Sequence, residues 1–184
     1  WARDRFVQMF GFSLHDFGEE TREYEPGVYP FGPNFWIRRK IVEQGHKYDE
    51  RVGPRPANRI MGSETTFLRD IQKAGFKQLY YPQASVLHRI SGSGCSAAVV
   101  KTRAFRLGRG EIYVSGLPRP ALLASSRFLW DTYILMKLIA AILIRLCATL
   151  SFSRQTRLLR EVSALRMMGN ALESWKHANE RGPK

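Results

Sequence analysis

The chain has 184 residues, room for one ordinary domain or part of a larger protein, and its 44% hydrophobic and 12% aromatic content excludes global disorder, collagen and low-complexity classes. Lys and Arg number 29 against 16 Asp and Glu, a net charge of +13 that predicts an anionic partner. The excess is uneven: residues 1–95 hold 14 basic and 11 acidic side chains, whereas residues 96–184 hold 15 and 5, so the second half carries the field. Cys95 and Cys147 are too few and too far apart for a disulfide framework, which points to a reducing compartment, and a chain that opens on Trp1 is read as a fragment.

Residues 1–33 predict a short helix or irregular start and then a loop dense in turn formers, Pro26, Gly27, Pro30, Gly32 and Pro33. Phe35-Trp36-Ile37 is a strand candidate closed by Arg38, Arg39 and Lys40, and Ile41–Gln44 begins a brief helix. Residues 45–58 read as loop, broken by Gly53-Pro54 and Pro56. After Gly62, the residues Phe67, Leu68, Ile71 and Ala74 share one helical face, with Gly75 as the stop. Leu79-Tyr80-Tyr81 and Ala84–His88 predict strands, and Ser91–Gly94 a turn. Strand, helix and strand in succession imply an α/β architecture. Glu111–Val114 is the last strand-like alternation. Beyond Pro118 and Pro120 come two helices, Leu122–Leu150 and Arg154–Trp175, and a frayed tail from Asn179 to Lys184.

The first of these helices raises the question of a membrane. Thr132–Leu150 is nearly the length of about 20 residues that a span needs, but Lys137 and Arg145 interrupt it. Those two residues lie roughly 80° apart on the helical wheel, which favours a helix lying in the interface over one crossing it. The basic residues Arg119, Arg127, Arg154, Arg157 and Arg160 around it suit anionic lipid. A packing helix with no lipid contact is the competing reading.

Glu64, in the run Met61-Gly62-Ser63-Glu64-Thr65-Thr66, falls at the start of the predicted helix, where the macrodipole favours a negative charge. A carboxylate at such a junction is a competent general base for a substrate hydroxyl, or simply satisfies the helix end; Ser63 or Thr65 is the candidate cap. His15-Asp16 reads as a turn or cap, and Gly92-Ser93-Gly94 and Gly108-Arg109-Gly110 lack the strand-to-helix context of a phosphate loop.

Four runs in order, Pro30-Phe31-Gly32-Pro33-Asn34-Phe35-Trp36-Ile37-Arg38-Arg39, Tyr48-Asp49-Glu50-Arg51, Gly62-Ser63-Glu64-Thr65-Thr66-Phe67 and Leu79–His88, resemble the second half of a GT-A-fold glycosyltransferase of the large inverting family. The resemblance implies a partial GT-A α/β fold over residues 1–115, the acceptor-side and catalytic-base half, followed by a basic helical extension over 116–184 that associates with membrane. It implies Glu64 as the base, although the usual pair of acids is here Ser63 then Glu64, and a later acid is replaced by Thr66. It implies Gly32, Asn34 and Ser63 as substrate contacts, Arg89 beside the donor phosphates and His88 facing a divalent cation, Mg or Mn, held mainly by a nucleotide-binding half that the chain lacks. No Asp-x-Asp triplet is present, so the fragment alone is expected to be inactive, and the absence of Gln-x-x-Arg-Trp favours transfer of single sugars over polymerisation.

The expectation is therefore inverting transfer from a nucleotide-sugar donor to a saccharide or lipid-linked acceptor, in cell-surface polysaccharide or glycolipid synthesis, at the cytoplasmic face of the cell membrane. Two rivals remain: a nucleic-acid-binding module using Lys101, Arg103, Arg106 and Arg109, and a non-catalytic membrane scaffold.

Overall fold

The computed structural model describes residues 2–55, 58–116 and 126–180. Their elements are α1 (Arg5–Phe12), β1 (Arg22–Glu23), α2 (Arg39–Glu43), α3 (Ser63–Lys73), β2 (Leu79–Tyr80), a 3-10 turn (Gly92–Cys95), α4 (Ala97–Ser115), α5 (Arg127–Thr149) and α6 (Arg154–Glu180). Of the described residues 58% are helical and 4% are in strands.

The second half is a layer of three helices with α6 in the middle, α4 along one side and α5 along the other. Ser96 and Ser126 start α4 and α5, each accepting a hydrogen bond from the backbone N–H three residues on, which satisfies a donor that a helix start leaves open. Small residues let α4 and α6 touch backbone to backbone. A Cβ on Gly108 would fall 1.9 Å from the Arg166 carbonyl oxygen, and one on Gly169 would fall 2.1 Å from that of Phe105. Between the same two helices Arg109 Nε donates to Glu173 Oε2 at 2.6 Å, with both side chains under a tenth exposed. Tyr113, one turn beyond Arg109, donates to the other carboxylate oxygen at 3.0 Å. Val7 and Phe10 of α1 close this core against Val100, Ala104, Leu158 and Val162.

The first half is built around α3. Its Phe67, Leu68 and Ile71 are buried with Ile41 of α2, and Phe35 and Ile37 pack against them from the preceding loop. The only sheet among the described residues is the antiparallel pair β1 and β2, with Arg22 opposite Tyr80 and Glu23 opposite Leu79.

This architecture overturns the α/β, partial GT-A expectation. Three predicted strands do not form. Phe35-Trp36-Ile37 alternates as a strand would, with Trp36 outward and 75% exposed, but no neighbouring strand supplies backbone groups. Ala84–His88 is likewise unpaired; Asn34 Nδ2 donates to the Ala84 carbonyl at 2.5 Å, and Leu87 is almost fully exposed. Glu111–Val114 lies inside α4, where the helical spacing of Arg109 and Tyr113 brings both onto Glu173. The helix predicted to end at Trp175 runs on to Glu180, taking in Asn179. Pro56, Pro118, Arg119, Pro120, Leu122 and the last four residues of the tail lie outside the described residues.

Candidate functional site

The start of α3 positions the carboxylate. Gly62 occupies the N-cap, so neither Ser63 nor Thr65 is the cap; Ser63 is the first helical residue, buried, and its Oγ donates to Glu64 Oε2 at 2.9 Å. The Pro30–Pro33 loop passes directly over the other oxygen. A Cβ on Gly32 would fall 2.7 Å from Glu64 Oε1, so the half-buried carboxylate occupies space that only glycine leaves. One oxygen is thus held by a hydroxyl and the other rests against a backbone.

Tyr48 closes the neighbourhood. Its ring stacks on Phe67 with centroids 4.6 Å apart, and burial, then the Glu64 charge, push its phenol above the ordinary range. It therefore stays protonated at neutral pH and remains a hydrogen-bond donor beside a carboxylate. Within the loop that carries it, Arg51 pairs with Asp49 at 2.7 Å, which holds the Asp49 carboxyl below its usual range, and Gly53 bridges Ile60 just before α3. Arg51 also lies over the Tyr113 ring, whose phenol is pushed up to about 12 by burial and by Glu173.

The remaining predicted residues gather elsewhere. Asn34 and His88 line a cleft of about 1170 Å³ together with His15, Tyr24, Trp36 and Cys95; neither Gly32 nor Glu64 is in its walls. Asn34 spends its amide on Ala84. His88 is exposed, with Nδ1 3.2 Å from the Phe12 carbonyl oxygen, and Arg89 is exposed beside it. The structure thus unites Gly32, Ser63 and Glu64, while Asn34 and His88 line the cleft together with Phe31 and Pro33 on either side of Gly32. Among the described residues no group of three or more His, Cys, Asp or Glu side chains converges.

Two residues escaped the sequence reading. Tyr48 stood in a quoted motif but had no role, because its approach to Glu64 depends on how a long loop folds back. His15 read as part of a turn, and Asp16 does accept from Gly18 N at 2.9 Å, yet His15 is also enclosed by the rings of Phe17, Tyr24, Phe31 and Tyr80. Its Nε2 hydrogen-bonds the Tyr24 hydroxyl at 2.6 Å, and burial lowers its pKa against the opposing pull of Asp16.

Three of the four basic residues singled out in α4 have partners within the chain. Lys101 pairs with Glu161, Arg103 donates to the Gly11 carbonyl and Arg109 is buried on Glu173. Helix α5 is long and apolar enough to cross a membrane. No family model, curated protein or solved structure matches the chain. With a mostly helical architecture and no matching relative, the four motifs do not place this chain among GT-A-fold glycosyltransferases.

Proposed function

We propose that the chain carries the general base of a glycosyl-transfer reaction run at the cytoplasmic face of a membrane, with Glu64 as the base. Acid–base chemistry of this kind depends on the site and not on one fold. The acceptor hydroxyl gives its proton to the Glu64 carboxylate while its oxygen bonds the anomeric carbon. The bond from that carbon to the nucleoside diphosphate breaks, and the configuration inverts. Ser63 holds one carboxylate oxygen and Gly32 leaves room beside the other, so the base is oriented before the acceptor arrives. Tyr48, protonated and raised in pKa by burial and by the Glu64 charge, would donate to an acceptor oxygen.

The observation that carries this reading is the fixed, half-buried carboxylate at the first turn of α3, with one oxygen on Ser63 and the other over Gly32. The test is nucleoside diphosphate release from a panel of nucleotide sugars with lipid-linked and free saccharide acceptors, using the longest natural chain that carries this sequence. Glu64→Gln, isosteric and unable to take the proton, should lower turnover about a hundredfold or more with little change in stability. Equal rates in the two proteins would remove the mechanism and leave a scaffold role.

A further inference from the structure

We infer that the hairpin of α5 and α6 is a monotopic membrane anchor: α5 lies along the bilayer surface with its outer face among the acyl chains, and does not cross. This deepens the membrane part of the proposed function and is independent of the chemistry at Glu64.

The sequence alone leaves α5 ambiguous, since its length and hydropathy suit a span. Its packing resolves which side is wet. Trp130, Ile134, Ala141 and Ala148 are buried toward the protein, whereas Phe128, Leu135, Met136, Ile139, Ile142, Leu143 and Leu146 are exposed. At about 100° per residue the exposed set fills an arc of roughly 120° and runs for about 27 Å without a charge. The two cations that break the apolar run are off this arc. Lys137 is turned inward, its Nζ 2.6 Å from Asn170 Oδ1 of α6. Arg145 sits on one flank, in line with Arg127 about five turns earlier. The outer face is therefore an oily stripe with one hydroxyl in it, that of Thr132, which donates back to the Phe128 carbonyl; Arg127, paired with Asp131, and Arg145 line one flank, the pattern of a helix resting at headgroup depth on anionic lipid.

The same packing excludes an upright span. Helix α6 accompanies α5 along its whole length: Arg127 bonds Asn179 at one end, Lys137 bonds Asn170 midway, and Arg160 reaches the Cys147 carbonyl and Ser151 at the other. Standing α5 across the bilayer would draw α6 in with it, taking Arg157, Arg160, Arg166 and Lys176 into hydrocarbon. Charged side chains are costly there, and Arg157, Arg160 and Lys176 are solvent-exposed on the present surface. Laying the hairpin flat satisfies both helices: the α5 stripe is immersed, the flank arginines meet phosphates and α6 stays above.

The full chain mixed with sealed vesicles of phosphatidylcholine and phosphatidylglycerol should float with them, more strongly than with phosphatidylcholine alone. Leu143→Glu and Ile139→Glu, both at exposed positions, should each weaken partitioning about tenfold or more, while Gln83→Glu, exposed in the turn after β2, leaves it unchanged. Orientation is read with Cys95 and Cys147 replaced by serine and one cysteine placed by Ser126→Cys or Ser153→Cys. An impermeant maleimide added outside should label both variants. Labelling of one of them only after vesicle lysis would mean a span and overturn the proposal. So would failure to float, or a lipid-free dimer that Leu143→Glu converts to monomer, which would make a second copy the occupant of the stripe.

Discussion

The two halves of the molecule differ in what ties their elements together. In the α4, α5 and α6 layer, charged groups pair with each other between helices: Arg109 with Glu173, Lys101 with Glu161, Arg166 with Glu111. In the first half, the long-range ties run from side chains to main-chain carbonyls: Asn34 to Ala84 in a loop, Gln78 to Leu68 in α3, Arg69 to Tyr113 and Val114 at the end of α4. The candidate carboxylate sits at the start of α3 beneath the Pro30–Pro33 loop, where a scaffold holds a loop in place.

The contrast breaks most readily in the layer. Glu173→Ala strands Arg109 in the interior and should lower unfolding free energy by about 3–5 kcal/mol in a denaturant titration. The double replacement Arg109→Met with Glu173→Leu should recover most of that loss. Next, Gly169→Ala forces α4 and α6 apart and should cost about 1–3 kcal/mol, read as a lower thermal midpoint with helical content retained.

In the loop half, effects should fall on function more than on stability. Gly32→Ala meets the far end of a flexible side chain, so the Glu64 carboxylate moves aside and the fold survives; turnover should drop about tenfold while the thermal midpoint hardly changes. The ring cage adds a pH dependence. His15 has a folded pKa below its ordinary 6.5, so below that value the unfolded chain binds more protons. Its share of stability is complete above pH 6.5 and is lost as pH falls through the lowered folded value. The wild-type midpoint should decline over that window more steeply than that of His15→Gln. Smallest of all, Arg39→Ala removes an exposed pair with Glu43 and should change stability by less than about 0.5 kcal/mol.

Three of the helices are legible in this sequence, whereas α4 is not: its Ala97–Ser115 run carries no predicted helix and includes the strand candidate Glu111–Val114. The period of Phe67, Leu68 and Ile71 located α3, and the two long apolar patterns located α5 and α6. Short apolar runs were not legible, because Phe35–Ile37 and Glu111–Val114 satisfy strand and helix patterns equally and only a partner decides between them. The partner for β2 came from Arg22 and Glu23, a polar dipeptide with no strand signal of its own. At the site, Glu64 could be placed at a helix start from sequence, and Gly32 was singled out. That the glycine lies against that carboxylate, and that Tyr48 folds back toward it, are long-range facts set by loop closure.

The backbone seam between α4 and α6 reaches further than the helices themselves. Gly110 abuts the peptide of Met61 so closely that an added Cβ would fall 1.7 Å from its carbonyl oxygen, and Met61 N in turn donates to Arg106 O. Met61 stands three positions before Glu64. Main-chain contacts thus run from the α4–α6 seam to the peptide next to α3, so that, on the proposed reading, the way the hairpin seats on a bilayer would set the height and tilt at which Glu64 is presented.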